Sequence, residues 1–171
     1  MVTASLQKAQ QQLYTSPAEF MDAIIHVVYP GLFQQINEII AKVQQLQSGA
    51  GSVFPAPLAD KIYTEMDDLY RKEKLVLFPY IHQLMAENRK SESCKPFKNT
   101  KAHYTALLIL IIEFKKSILK LDETDDNAML ADDIKMAVLQ FEQAHILFQI
   151  TKDRYLFSAF KSCEGCKSLG A

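Results

Sequence analysis

Apolar residues along this chain recur every three or four positions, and prolines and glycines cluster between such stretches, a spacing that predicts helices rather than strands. Four helices follow from it. The first starts at Ser16-Pro17-Ala18-Glu19, where Ser16 can cap, Pro17 suits the first helical position and Glu19 completes a capping box. It runs to about Leu46 with the inward stripe Ile25, Tyr29, Leu32, Ile36, Ile39 and Val43, and Pro30-Gly31 predicts a bend midway. The second, from about Leu58 to Asn88, carries Ile62, Met66, Leu69, Glu73, Val76, Tyr80 and Leu84, with a kink expected at Pro79. The third, from about Asn99 to Leu121, carries His103, Leu107, Leu110, Phe114 and Ile118. The fourth follows the acidic loop Asp122–Asn127, which can cap it, and carries Ile134, Ala137, Phe141, Ala144, Phe148, Lys152 and Tyr155.

Helices of roughly 20–33 residues, about 30–50 Å long and joined by short connections, favour an up-down-up-down four-helix bundle, here over residues 16–160. The connections are the Gly/Pro-rich stretch Ser48–Pro57 and the segment Lys90–Lys98, which contains Cys94, Pro96 and Phe97. Residues 1–15 form an N-terminal segment with room for a short helix, and residues 161–171 read as a tail.

Composition leaves this all-α picture intact and narrows the partners. The chain has 171 residues, 49% hydrophobic and 23% charged, with a formal net charge of -1, so no electrostatic footprint for nucleic acid or an anionic membrane is expected. The opening MVTASLQKAQQQLY has no apolar core of a signal peptide, and the longest apolar run, Ala106–Ile112, is too short to span a bilayer. A cytoplasmic location is the expectation, and three cysteines, two of them in Cys163-Glu-Gly-Cys166, fit a reducing compartment.

The stripes are most informative where charge interrupts them, because a buried charge costs several kcal/mol unless it is paired. Glu73, His103 and Lys152 interrupt three of them, and Tyr29 and Gln47 on the first helix are placed to reach the same interior. Facing carboxylates and imidazoles are how bundles build di-metal sites. One carboxylate and one imidazole are too few for two ions, and an ammonium competes with metal for the carboxylate. Either Lys152 pairs with Glu73 inside, with His103 hydrogen-bonding nearby, or Lys152 snorkels outward and Glu73 turns to the seam edge.

At these same positions the chain resembles a known family. Lys72-Glu-Lys-Leu-Val-Leu-Phe-Pro-Tyr-Ile81 looks like the "KEExVLFPxI" signature of the hemerythrin-like iron–sulfur-centre repair proteins, the regulators of cell morphogenesis and nitric-oxide signalling. Ile24-Ile25 and the following turn, Cys94-Lys-Pro-Phe97 ahead of His103, and Lys152-Asp-Arg-Tyr-Leu-Phe157 resemble three further family segments in the same order. The resemblance implies a hemerythrin-like bundle with a non-haem di-iron site, several histidines and two bridging glutamates, serving repair of oxidatively or nitrosatively damaged centres. Carried across position by position, the first helix has Tyr29 and Gln47 in place of histidines, and the second has Leu69 in place of a histidine but keeps Glu73. His103 is kept in the third helix, while Phe148 and Lys152 replace a histidine and a glutamate in the fourth. A small shift of the first helix would bring His26 toward a ligand position.

The function this implies is a hemerythrin-like domain with most di-iron ligands replaced, a non-enzymatic binding or scaffold protein with no cofactor and no catalytic residue, partnered by another protein or by copies of itself. The alternative is an iron-binding protein with a rearranged site of Glu73, His103 and Tyr29 with His26 or His145, acting in iron handling or stress repair. Acid–base catalysis by Glu73 and His103 is a third reading, but no motif names a substrate. His82 and His145 are expected at the surface or its boundary, and the Cys163/Cys166 spacing alone is a weak redox or zinc signal.

Overall fold

The computed structural model describes residues 16–47, 56–88, 95–120 and 128–160, and these form four helical rods. The first rod comprises α1 (Pro17–Ala23), a π-helical turn (Ile24–Val28) and α2 (Tyr29–Gln47). The second comprises α3 (Ala56–Lys72), a π turn (Glu73–Leu77) and α4 (Phe78–Ala86). α5 (Lys95–Ile118) is the third rod, and α6 (Ala128–Lys152), a π turn (Asp153–Phe157) and α7 (Ser158–Phe160) are the fourth. The first rod packs on the second and fourth and the third on the same two, so the rods surround one core, and no strand occurs among the described residues. No helix among them is long and apolar enough to cross a membrane.

The local signals act as the residue types dictate. The backbone at Ser16 is extended and its hydroxyl accepts from the Glu19 N–H at 3.2 Å, satisfying one orphan donor of the first turn. The second rod ends through Asn88 at φ 49°, a left-handed conformation that asparagine tolerates, with its N–H donating to the Met85 carbonyl. The third rod starts at Lys95 rather than Asn99, because Pro96 falls in its first turn, where a missing N–H costs nothing. Phe97, expected in a connection, is therefore core. The segments 1–15 and 161–171, most of the loops, and Cys94, Cys163 and Cys166 lie outside the described residues.

Each π turn carries one residue more than an α turn, which rotates everything beyond it by about 100° around the rod. This corrects the expected stripes at definite places. In the first rod Tyr29, Leu32, Ile36, Ile39 and Val43 are buried as expected, but within the wide turn the inward residues are Ile24 and Val28, and Ile25 is only half-buried. In the second the core continues from Glu73 through Leu77, Ile81 and Leu84, which leaves Tyr80 half-buried and Val76 60% exposed. In the fourth Lys152 is followed inward by Leu156 and Phe157, not Tyr155. Pro30 and Pro79 each lie just after a π turn, which gives their rings room against the preceding carbonyls without breaking the rod.

Candidate functional site

The three π turns adjoin three residues that meet. Tyr29 follows the first, its N–H donating to the Ile24 carbonyl five residues back. Glu73 opens the second and Lys152 immediately precedes the third. Inside the bundle the Lys152 ammonium donates to Glu73 Oε1 at 2.5 Å and the Tyr29 hydroxyl donates to Glu73 Oε2 at 2.8 Å. Lys152 is 1% exposed and Glu73 0%, so Lys152 does not snorkel and the pair is sealed from water.

Aromatic rings complete the surroundings of the ammonium. Its nitrogen lies 4.3 Å from the Phe148 ring centroid and 4.5 Å from that of Tyr104, within range of cation–π attraction, which strengthens when the cation is desolvated. Phe148 stands edge-on to Tyr29 at 5.5 Å, and Tyr70 lies 4.8 Å from Tyr29 on its other contact. Leu69 is fully buried in the same core. Two oxygens, two donors and two ring faces thus account for the charges present.

Electrostatics follow from the burial. Desolvation pushes the Lys152 ammonium below its usual pKa, while the charge and hydrogen bond of Glu73 oppose the shift. Burial, with Glu73 as second cause, raises the Tyr29 phenol well above 10, and the same two causes raise Tyr104. Both phenols are therefore donors and not phenolates at neutral pH.

Two expected placements are corrected. His103 does not enter this interior. It is half-buried on the side of α5, 2.9 Å from Glu65 Oε2 through Nε2 and 3.2 Å from the Lys72 ammonium through Nδ1. One residue on, Tyr104 takes the inward position, and its hydroxyl donates to the His145 carbonyl in a short hydrogen bond. The reason is phase: Tyr104, Leu107, Ile111, Phe114 and Ile118 alternate steps of three and four, whereas a stripe through His103 needs a less regular spacing. His145, expected near the surface, is 1% exposed: the buried stripe of this rod runs through Ile134, Val138, Phe141, His145, Phe148 and Lys152, and Ala137 and Ala144 fall to the flank. His26 is exposed and pairs with Asp22, and His82 is exposed. The side chain of Gln47 lies outside the described residues.

His145 is the second buried titratable group of the interior. Its Nδ1–H donates to the Phe141 carbonyl at 3.2 Å, so the neutral ring turns the bare lone pair of Nε2 into the core, where it has no partner. Desolvation lowers its pKa to about 4, against the backbone bond to Phe141, and the Lys152 charge lowers it further.

The donor set does not suit a di-iron centre. Such a centre needs bridging carboxylates and several imidazoles, whereas both Glu73 oxygens are taken by Lys152 and Tyr29, and leucine and phenylalanine fill the flanks. Among the described residues no three His, Cys, Asp or Glu side chains come together as metal ligands. No protein-family model, curated protein or solved structure matches the chain.

Proposed function

We propose that this chain is a non-enzymatic binding or scaffold domain of the cytoplasm, hemerythrin-like in kind and related to the iron–sulfur-centre repair proteins, with a lysine–glutamate pair standing where those proteins hold iron. The observation that carries the reading is the sealed Lys152–Glu73 ion pair at the three-way junction of π turns. An ammonium at hydrogen-bond distance supplies the positive charge that the carboxylate would otherwise take from a cation, and it leaves no open coordination position. Because both groups are excluded from water, no substrate reaches them, and the role left to the pair, with Tyr29 bonded to Glu73, is to hold three rods in register.

The outer face of α6 supports a binding role. Met129 and Met136, seven residues apart, and Ile150, fourteen further on, are 83%, 56% and 58% exposed on one face of the rod, which Gln143 interrupts, so the rod shows apolar residues outward as well as inward. A partner protein or a second copy would cover that face. The test has two readouts on protein expressed in iron-rich medium: metal content by mass spectrometry and molar mass by sedimentation. The expected outcome is iron far below one equivalent, and a complex or self-association weakened by Met136→Glu. Near-stoichiometric iron with an oxo-bridge absorption band would overturn the proposal.

A further inference from the structure

The side of the bundle between the second and third rods holds a cleft of about 560 Å³. That is within the range of small-molecule sites, which combine apolar walls with a few convergent polar groups. Its apolar wall includes Val76, Leu77 and Pro96, and its charged or titratable groups are Glu65, Lys72 and His103, with Asn99 and Thr100 as neutral polar neighbours. The π turn Glu73–Leu77 makes the wall: the extra residue that keeps Leu77 in the core turns Val76 outward, so a valine that would otherwise be buried faces the opening.

The polar groups are ordered by their hydrogen bonds. An ammonium has no lone pair, so Lys72 must donate to His103 Nδ1, and the ring proton must then sit on Nε2 and donate to Glu65. The imidazole is held in one tautomer and one orientation by groups on both sides. Glu65 accepts the ring N–H through Oε2, and the Lys72 ammonium donates to the other ring nitrogen and keeps two further N–H donors. The cleft therefore carries one charge of each sign on opposite sides of the ring, and Lys72, one helical turn before Val76, sets the positive one beside the apolar wall. Glu65, a few ångströms beyond His103, opposes a second negative charge.

We propose that this cleft binds a small organic monocarboxylate, its carboxylate on the Lys72 ammonium beside the fixed His103 ring and its apolar part against Val76, Leu77 and Pro96. The site is independent of the interior pair and uses neither Glu73 nor Lys152. The test titrates the intact protein with hexanoate and reads the His103 ring and Val76 methyl resonances by NMR, with hexanol, hexylamine and hexyl phosphate as parallel probes of the same tail. Hexanoate is expected to shift both sets of resonances saturably, at least tenfold more tightly than hexanol or hexylamine and more tightly than the phosphate. Lys72→Met, a change at an exposed position, is expected to weaken hexanoate at least tenfold, and Val76→Ser to weaken it severalfold. The inference is overturned if hexanoate binds no better than hexanol, if the phosphate binds better, if Lys72→Met leaves the affinity unchanged, or if the shifts fall on Met129 and Met136 instead.

Discussion

Replacing Lys152 with methionine keeps an unbranched side chain of similar length and removes the charge. Glu73, with 0% exposure, is then left with Tyr29 as its hydrogen-bond donor, and Oε1 loses the ammonium that donates to it. Stranding one member of a buried ion pair typically costs about 3–5 kcal/mol. Glu73→Gln alone strands the ammonium in the same way, although the amide oxygen still accepts from one neighbour. The double variant Lys152→Met with Glu73→Gln carries no charge at this site and retains an acceptor for Tyr29, so it is expected within about 2 kcal/mol of the parent. The two changes should therefore be strongly non-additive, the double variant exceeding the better single variant in stability. At about 2–4 °C per kcal/mol for a chain of this size, Lys152→Met lowers Tm by roughly 6–20 °C, and the double variant restores most of it. Urea unfolding followed by far-UV circular dichroism measures all four proteins. Additive single effects, within about 0.5 kcal/mol, would refute the contact between the two side chains.

Other consequences are equally direct. The folded protein binds its His145 proton only near pH 4, whereas the unfolded chain binds it near 6.5, so stability falls as pH drops through that window and levels off below it, by up to about 3 kcal/mol. His145→Leu should remove this acid loss, and an unchanged acid slope would show that another group causes it. Tyr29 and Tyr104, with raised pKa values, hold their protons above pH 10 while the unfolded chain releases them, so stability is lost as pH rises past 10. In a spectrophotometric titration of the seven tyrosines these two should ionise only with unfolding, and a smooth seven-residue titration of the folded protein would contradict their burial. Deleting Leu75, which is 69% exposed in the second π turn, should convert that turn to an α turn and preserve a cooperative fold, whereas deleting Asp68 from α3 should rotate the rest of the rod out of the core. Equal loss of cooperativity in both deletions would show that the wide turn is not an inserted residue.

The extent to which this arrangement is written in the amino-acid order differs by level. The all-α class, the four rods and the Ser16 cap follow from periodicity and punctuation, because those signals act within one or two turns. Glu73, Lys152 and Tyr29 stand out as polar residues on apolar stripes, and the structure places them in contact. Tyr104 and His145 do not stand out, since each competes with a neighbour, His103 or Ala144, that also fits a helical stripe to within one residue. Strict alternation of three and four separates Tyr104 from His103, whereas the stripe Ile134, Ala137, Phe141, Ala144 and Phe148 alternates as strictly as the one through His145, so only the packing of the rods decides between those two. The cleft at His103 requires knowing how two rods face each other, and no local pattern along either rod contains that.

The phase errors concentrate at the π turns, and this has a physical cause. A strict helical period lets a rod bury one narrow face, and above and below a polar layer the apolar residues must stay on that face. Tyr29 and Lys152 each meet Glu73 at the boundary of a wide turn, where the rod can serve two overlapping stripes at once: Glu73 closes one that runs through Ile62, Met66 and Leu69, and Leu77 with Ile81 resumes another. The same extra residue that allows this turns Val76 out and makes one wall of the cleft. The buried pair and the cleft thus share a single geometric origin in the second rod while using different side chains. A change that regularises the turn, such as deletion of Leu75, is therefore expected to shift the Val76 wall around the rod and leave the Lys152–Glu73 contact in place, which is the combination that separates a structural role for the pair from a binding role for the cleft.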